Sequence, residues 1–357
     1  MSDKVLVAMS GGVDSSVTLL QVIEMGYEAV GVTMKLWEYE DMGGKVNRES
    51  SCCAIESIHN AKLVCADLGV PHYTIDFTKV FRKEVVDNFA DEYLAGRTPN
   101  PCVRCNSFLK WDALIEKAGQ IGADFIATGH YAQIEKTDTG YQLKRGVDLK
   151  KDQSYVLWGI PLETLGKTIL PLGRLTKPEV RELARKHDLG TAETPESMEI
   201  CFIPDNNYSR FLSEYRSDEI DKIGKGNIIE NDELVGTHPG YINYTIGQRK
   251  GLRLSNPEPR YVKEIHPDDN TVVVGTKERL GSSGCSISQV NWLVDIPHFP
   301  VEASTMIRYN SQQVPTLLNM TKGRLTAQFN EPQLSVTPGQ SIVFYQQDTV
   351  LGGGIID

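Results

Sequence analysis

Long hydrophobic segments are missing from this sequence of 357 residues, in which no uninterrupted apolar run is long enough to span a bilayer. The first residues, Met1 to Lys4, lead straight into a short apolar segment, and no signal peptide is visible. Internal repeats and low-complexity segments are missing too. We therefore expect a cytoplasmic, globular protein of two or three domains with no membrane partner.

An excess of positive charge is also missing, because 47 acidic residues outnumber 37 basic ones and give a net charge of −10. This balance argues against a protein that coats nucleic acid non-specifically. Basic residues nevertheless cluster at two places, which are Lys144, Arg145, Lys150 and Lys151, and Arg249, Lys250 and Arg253. Such clusters are more often solvated faces than binding stripes, and both interpretations stay open here.

The seven cysteines are an odd number, which argues against a structural disulfide framework in a cytosolic chain. Cys102 and Cys105 lie three residues apart, after two prolines that favour an extended loop and before a predicted helix over residues 109–121. A thiol near a helix N-terminus has a lowered pKa. The pair is therefore half of a zinc site, a redox pair, or a nucleophile with a helper, although no second C-x-x-C supplies further zinc ligands.

The other cysteines give weaker signals. Cys65 lies on the apolar face of a predicted helix, so we expect it in the core. Cys201 lies between Ile200 and Phe202, and by spacing alone it is a buried structural residue. We expect structural or incidental roles for the three that are left, which are Cys52, Cys53 and Cys285.

A glycine loop at residues 9–16 follows an apolar strand at residues 5–8 and precedes a predicted helix that ends at Gly26. The loop lacks the lysine of G-x-x-x-x-G-K-S/T and is not G-x-G-x-x-G. Two glycines and the free N–H groups of a helix N-terminus suit a phosphate, and the alternative is an ordinary strand-to-helix turn. Asp14 would fit if a metal ion accompanied the phosphates.

Strands alternate with helices over the first half of the chain, which predicts an α/β doubly wound parallel sheet. Its carboxyl edge would carry the loop 9–16, Met34 and residues 128–130. Thr176 and Glu179 form a capping box before another helix. From about Asn206 onward, strand-like runs alternate with turn residues and predict a small mostly-β central domain and a C-terminal β-barrel. We expect domains at 1–205, 206–280 and 281–357.

The sequence resembles the bacterial tRNA-specific 2-thiouridylase family of the ATP pyrophosphatase superfamily. Matching segments occur in the family's order over nearly the whole chain. They are residues 9–16 (MSGGVDSS), 95–101, 105–106, 127–131, 151–155, 200–203, 244–252, 337–340 and 351–355.

The resemblance implies ATP-dependent 2-thiolation of the wobble uridine of tRNA, in which the uracil oxygen at carbon 2 is adenylated and then replaced by sulfur. Cys201 would carry the sulfur as a persulfide and Cys105 would be the nucleophile that works with it, with a disulfide between them during turnover. A cysteine desulfurase or a sulfur-relay protein would be the donor. ATP, with Mg²⁺, would be held by Ala8, Met9, Ser10, Gly11, Gly12, Val13, Asp14, Ser15, Met34 and Gly129.

The same resemblance implies a tRNA-binding surface. Its residues would be Asn100, Pro101, Cys102, His130, Lys151, Asp152, Gln153, Arg308, Tyr309 and Gln340. Residues 100–102 would line the target base, which would be flipped into a pocket while phosphate contacts position the RNA. The basic cluster that ends at Lys151 would then bind RNA rather than form a solvated face.

One departure concerns Cys102, where many family members have aspartate. Three thiolates can hold a four-iron, four-sulfur cluster with one iron open, so Cys102, Cys105 and Cys201 are hypothetical ligands of such a cluster. Two other functions compete with thiolation. They are adenylation of a small molecule by another ATP pyrophosphatase and RNA binding without catalysis.

Overall fold

The computed structural model describes residues 2–37, 55–195, 200–255, 257–296 and 298–357. Its α-helices are α1 Val13–Glu24, α2 Ile55–Asp67, α3 Thr78–Phe81, α4 Asn88–Leu94, α5 Pro101–Arg104, α6 Leu114–Gln120, α7 Lys177–Lys186, α8 Tyr208–Tyr215 and α9 Ser217–Ile223. Two π-helical segments, Arg82–Asp87 and Cys105–Ala113, join α3 to α4 and α5 to α6. None of the described helices is long and apolar enough to cross a membrane.

The strands form three sheets. Their bounds are β1 Lys4–Ala8, β2 Glu28–Lys35, β3 His72–Asp76, β4 Phe125–Ala127, β5 Ala132–Thr137, β6 Gly140–Arg145, β7 Thr168–Ile169, β8 Gly226–Glu230, β9 Glu233–His238, β10 Tyr261–His266, β11 Thr271–Gly275, β12 Gly281–Trp292, β13 Val301–Met306, β14 Val314–Thr321, β15 Arg324–Leu334, β16 Ser341–Gln346 and β17 Thr349–Ile356.

The first sheet is parallel, with the order β3-β2-β1-β4-β7, and it confirms the predicted doubly wound fold. Successive side chains of β1 point to opposite faces. Val5 and Val7 pack against α1, α2 and α7, whereas Leu6 packs against the helical region 101–120 and the barrel. Both faces are therefore covered, which explains the continuous apolar run in β1.

The carboxyl edge of this sheet is where ligands are expected. Ala8 pairs with Val32 and Val7 pairs with Ala127, so β1, β2 and β4 end at the same edge. The loop 9–16 and residues 128–130 follow β1 and β4, and Met34 is one of the last two residues of β2. These segments therefore lie on one edge of the sheet, as predicted, and their role in binding ATP stays a prediction.

The helical region that carries Cys102 and Cys105 starts eight residues before the predicted start at 109. Proline suits the first position of a helix, and Pro101 occupies that position in α5. Asn100 is the N-cap, and its Oδ1 accepts a hydrogen bond from the Val103 N–H at 3.4 Å. The prediction of an extended loop through both cysteines was therefore wrong, and both lie on helical backbone.

Two further regions differ from the prediction. Helices α8 and α9 occupy Tyr208–Tyr215 and Ser217–Ile223, where strand-like runs were expected. The hairpin β5–β6 was not predicted, and it joins the C-terminal sheet through the pair Lys144 and Thr349.

The two C-terminal sheets follow the predicted hairpins. The central sheet has the order β10-β11-β8-β9. Asn231 and Asp232, at the turn between β8 and β9, have φ of 51° and 66°, as a two-residue hairpin turn with two left-handed positions requires. The last sheet has the order β12-β15-β14-β13-β16-β17, and pairing of β12 with β17 closes it into a six-stranded barrel.

Two of the cysteines that were expected to be structural are Cys65 and Cys285. Cys65 is fully buried, and Cys285 lies in strand β12 of the barrel. Burial raises the pKa of the Cys65 thiol to about 11. Burial, followed by the Asp357 charge, raises the pKa of Cys285 to about 12. Both are therefore protonated and unreactive at neutral pH. Cys52, Cys53 and most of the predicted loop at 36–51 lie outside the described residues.

Candidate functional site

The loop after β1 has the geometry of a phosphate cradle. Gly11 has φ of +78°, and a Cβ there would lie 2.1 Å from the carbonyl oxygen of Ser57 in α2. Gly12 is the N-cap of α1, and its carbonyl oxygen accepts hydrogen bonds from the hydroxyls of Ser15 and Ser16, each at 3.0 Å. The first N–H groups of α1 have no acceptor within the helix and point toward the sheet edge. Glycine is therefore needed at position 11, and the loop suits an anion.

Asp14 does not have the surroundings of a metal ligand in this structure. Lys177 Nζ donates to both carboxylate oxygens, at 2.8 and 2.9 Å. The Tyr131 hydroxyl donates to Oδ1 at 2.7 Å. The residues present fit ATP, but they do not form a Mg²⁺ site around Asp14. The sequence pattern gave no indication that Lys177 belongs to this site. The only local feature was the capping box of Thr176 and Glu179, which begins one residue before it.

Gly129 and His130 follow β4 on the same edge. A Cβ on Gly129 would lie 3.0 Å from the backbone of Asp14, so the two segments touch. His130 is buried, and its Nε2 lies 3.3 Å from Lys110 Nζ. The Lys110 ammonium can only donate hydrogen bonds, so Nε2 of His130 must be the acceptor. The ring proton is therefore on Nδ1, which donates to Thr128 Oγ1 at 2.7 Å. Burial and Lys110 hold the pKa of His130 well below its usual range, so the ring is neutral.

Cys105 and Cys201, which are distant in sequence, pack against one apolar cluster that includes Phe81 and Phe202. Each side chain is half-buried, so Cys201 is not the fully buried residue that its spacing favoured. The disulfide expected between them during turnover stays a prediction.

Cys102 is exposed and does not belong to the apolar cluster that Cys105 and Cys201 share. Among the described residues, no three His, Cys, Asp or Glu side chains are grouped closely enough to hold a metal ion. The three cysteines are therefore not arranged here as a ligand set for an iron–sulfur cluster.

Several residues assigned to tRNA by resemblance have internal partners. Asp152 is buried, and its carboxylate accepts hydrogen bonds from Arg145 Nε at 2.8 Å and the Gly146 N–H at 3.0 Å. Gln153 Oε1 accepts from the Tyr131 N–H at 3.0 Å. Gln340 Nε2 donates to the carbonyls of Thr98 and Pro99 at 2.9 and 3.1 Å, which ties the barrel to the loop before Asn100 and Pro101. These side chains position the site, and their contact with tRNA stays a prediction.

A basic cavity lies where the β5–β6 hairpin region meets the barrel. Its volume is about 350 Å³, and its lining residues are Arg145, Leu149, Lys150, Asp152, Met306, Asn310 and Ser311. Arg308 and Tyr309, which are exposed, directly precede Asn310, and Lys151 directly follows Lys150. Two of the four basic residues at 144–151 therefore line a concave surface, one of them, Arg145, paired with Asp152 there, and binding of RNA by the cluster stays a prediction.

Family models cover nearly the whole chain. They are the tRNA methyl transferase HUP domain over residues 3–205, the tRNA methyl transferase PRC-barrel domain over 209–276 and the Aminomethyltransferase beta-barrel domain over 282–356. The tRNA-specific 2-thiouridylase MnmA of Carboxydothermus hydrogenoformans is 49% identical over 99% of this chain and 97% of that protein. The chain belongs to the tRNA-specific 2-thiouridylase family. Another member, from Salinibacter ruber, is 46% identical over 99% of this chain and 94% of that protein.

Membership of the 2-thiouridylase family extends over all three sheets, because these relatives match the chain from end to end. A solved 4-thiouridine synthetase–RNA complex with bound ATP is more distant, at 18% identity and a TM-score of 0.37. That likeness covers 61% of this chain and 51% of the synthetase.

Proposed function

We propose that this protein uses ATP to convert the wobble uridine of tRNA to 2-thiouridine. The observation that carries the proposal is the combination of a phosphate loop on the sheet edge with two half-buried cysteines, Cys105 and Cys201, that pack on a single apolar cluster. Full-length relatives at 42–49% identity are named tRNA-specific 2-thiouridylases. An adenylating enzyme for small molecules would not require the thiol pair.

Adenylation comes first in the proposed reaction. The uracil oxygen at carbon 2 attacks the α-phosphorus of ATP, the bond to the bridging oxygen breaks, and pyrophosphate leaves with the electron pair. Residues 8–15, with Met34 and Gly129, hold the nucleotide. The N–H groups at the start of α1 face the phosphates and offset their charge. The uracil now carries AMP, a good leaving group, at carbon 2.

Sulfur transfer follows. The terminal sulfur of a persulfide on Cys201 attacks carbon 2 and AMP leaves with its oxygen. The Cys105 thiolate then attacks the Cys201 sulfur, so the persulfide bond breaks, its electrons stay with the transferred sulfur, and a Cys105–Cys201 disulfide forms. An external thiol must reduce this disulfide, and a sulfur donor such as a cysteine desulfurase or a sulfur-relay protein must recharge Cys201.

Binding of tRNA is assigned to the basic cavity and its rim. Arg145 and Lys150 line it, and Lys151, Arg308 and Tyr309 border it. Phosphate contacts there would position the RNA, and the target base would reach the region of Asn100 and Cys102. This explains how a protein of net charge −10 binds a polyanion.

A persulfide, rather than an iron–sulfur cluster, is proposed as the sulfur carrier. Cys102 is exposed and is not part of the apolar cluster that Cys105 and Cys201 share. Anaerobic purification with iron and sulfide analysis separates the two routes. Stoichiometric iron that is needed for thiolation would replace the persulfide proposal with the cluster.

The decisive experiment is mass spectrometry of tRNA after incubation with ATP, a persulfide-charged cysteine desulfurase and the protein. We expect Cys105→Ser and Cys201→Ser to form no 2-thiouridine while still releasing pyrophosphate in a single turnover. Cys285→Ser, in the barrel, is the matched control and retains activity. Intact thiolation by Cys201→Ser would favour another ATP pyrophosphatase reaction, and no tRNA-dependent pyrophosphate release by the native protein would favour a binding module.

A further inference from the structure

The ion pair between Asp14 and Lys177 lies at the base of the phosphate loop. Lys177 is 7% exposed, and its ammonium contacts both oxygens of Asp14 and lies 5.7 Å from the centre of the Tyr131 ring. The Asp14 side chain is 33% exposed and that of Lys177 is 9% exposed, so the carboxylate is the more accessible member of the pair. Because Asp14 lies in the first turn of α1, the ammonium is held next to the residues that directly follow Gly12.

The position of Lys177 is unfavourable for helix stability. It is the first residue of α7, where the helix dipole places partial positive charge and disfavours a cation. Asp14, in the first turn of α1, is already stabilised by the dipole of that helix and needs no lysine. Burying an ammonium also carries a desolvation penalty that an ion pair often does not recover. Stability thus does not account for this lysine.

The surroundings hold Lys177 in place. Its backbone N–H donates to Asp148 Oδ2 at 3.1 Å, and Thr176 before it donates from both N–H and Oγ1 to Glu179. The N-termini of α1 and α7 consequently meet at one point, and a lysine with three N–H donors on a flexible stem lies between them. Two helix N-termini and an ammonium together form a site for a polyanion.

We propose that Lys177 is an ATP-binding residue that supplies positive charge to the pyrophosphate part of the nucleotide, with Asp14 holding it in place until the phosphates arrive. The proposal rests on the proposed function for the identity of the nucleotide. In the adenylation step, Lys177 stabilises the charge that develops on the leaving pyrophosphate.

The test is the affinity of the purified full-length protein for a non-hydrolysable ATP analogue and for AMP, measured by calorimetry without tRNA. Loss of one charge-assisted contact lowers affinity by about tenfold or more. We expect Lys177→Met to lose this much for the ATP analogue while AMP affinity changes little. Lys177→Arg keeps the charge and recovers part of the loss. Lys186→Met, at the exposed end of the same helix, is the matched control and binds like the native protein.

Three outcomes overturn the proposal. The first is that Lys177→Met binds the ATP analogue with normal affinity, and the second is that it loses affinity for the ATP analogue and for AMP equally. The third is that the double variant Asp14→Asn with Lys177→Met recovers affinity for the ATP analogue. That result would show that Lys177 only neutralises the charge of Asp14. Thermal unfolding of each variant shows whether the fold is intact, and Lys177→Arg covers the case in which Lys177→Met fails to fold. Binding is measured without thiolation, so failure of the proposed function leaves this test valid.

Discussion

At the scale of single residues, His130 shows how burial sets chemistry. The ring lies between Thr128 and Lys110, and burial and the Lys110 charge lower its pKa. Its side chain was assigned to tRNA by resemblance, but a neutral, buried imidazole cannot act as a cation for phosphate. In this structure it supports the segment that carries Gly129.

Acid should destabilise the protein partly through His130. The pKa of this ring is lowered in the folded state, so as the pH falls below the ordinary value near 6.5 the unfolded chain takes up the proton first. Stability is full above that pH and is lost as the pH falls toward the folded pKa, by up to about 1.4 kcal/mol per pH unit for one proton. We expect His130→Asn to lose less stability between pH 7.5 and 5.5 than the native protein in urea unfolding.

The control for this effect is His298→Asn, because His298 is exposed. Its unfolding free energy should fall with acid as steeply as that of the native protein. Burial also lowers the pKa of His72 and His238, so the native dependence has several sources. Equal slopes for His130→Asn and the native protein would show that His130 does not contribute.

Residue roles were predictable where one property decides them. An apolar helical face predicted that Cys65 is core, and the structure confirms it. Lys177 was missed as an internal partner because nothing in a local pattern marks a charged residue whose partner is distant in sequence. Asp152 was missed although its partner Arg145 is only seven residues away, because a charged pair at that spacing does not reveal burial. Lys177 meets Asp14 across 163 positions, and only the sheet brings them together.

At the scale of elements, the loop between β1 and α1 contains two adjacent glycines, Gly11 and Gly12, whose conformations and surroundings differ. Gly11 has φ of +78° and backbone of α2 where a side chain would be. Gly12 has φ of −100°, and a Cβ added there would meet only Ser10 Oγ, at 3.8 Å, within a radius of 4 Å. We expect Gly11→Ala to lower the free energy of unfolding by about 1–3 kcal/mol and to abolish ATP binding, because α2 must move.

Gly12→Ala is the comparison for that prediction. Its backbone conformation is open to alanine, so its unfolding free energy should stay within about 0.5 kcal/mol of the native value. Urea unfolding and calorimetric ATP binding measure both variants. Equal stability of the two variants would mean that the contact between the loop and Ser57 does not constrain the fold.

The errors at this scale have physical reasons. The sequence of α8 has apolar and aromatic residues at helical spacing, which are Tyr208, Phe211, Leu212 and Tyr215. This helical pattern was overlooked because the segments that follow it have a strand-like pattern. The β5–β6 hairpin carries a short alternation of apolar and polar residues around the turn at 138–140, and this signal was overlooked because both strands are mostly polar. Its place beside β17, about two hundred residues away in the chain, has no local signal. The prolines before Cys102 were expected to favour an extended loop, but proline is also common at the first position of a helix, which Pro101 occupies.

At the scale of the whole molecule, one hydrophobic cluster joins the parallel sheet to the barrel. Leu6 and Ile126 of the sheet belong to the same buried cluster as Met306, Val343 and Tyr345 of the barrel. The interior of the barrel has a second cluster of its own, around Leu318 and Phe344. The central sheet has a separate cluster around Val262 and Val272. The predicted boundary at residue 281 is therefore crossed by one shared cluster, although the barrel also has an interior of its own.

A shared core should transmit damage from the barrel to the nucleotide site. Val343 is fully buried, and Val343→Ala leaves a cavity that costs about 2 kcal/mol. We expect faster amide hydrogen exchange not only in β16 but also in β1 and β4, which lead into the loop 9–16 and Gly129. Mass spectrometry of peptides after exchange in native buffer measures this directly.

Val262→Ala is the matched control, because Val262 is just as buried but lies in the central cluster. Its cavity should speed exchange in β10 and β11 and leave β1 and β4 unchanged. If Val343→Ala changes exchange only within the barrel, the barrel opens independently and the common core is a contact between separately stable domains. If β1 and β4 respond, the barrel and the strands that lead into the loop 9–16 open as one cooperative unit, so the proposed tRNA-binding and ATP-binding surfaces would be coupled through the fold.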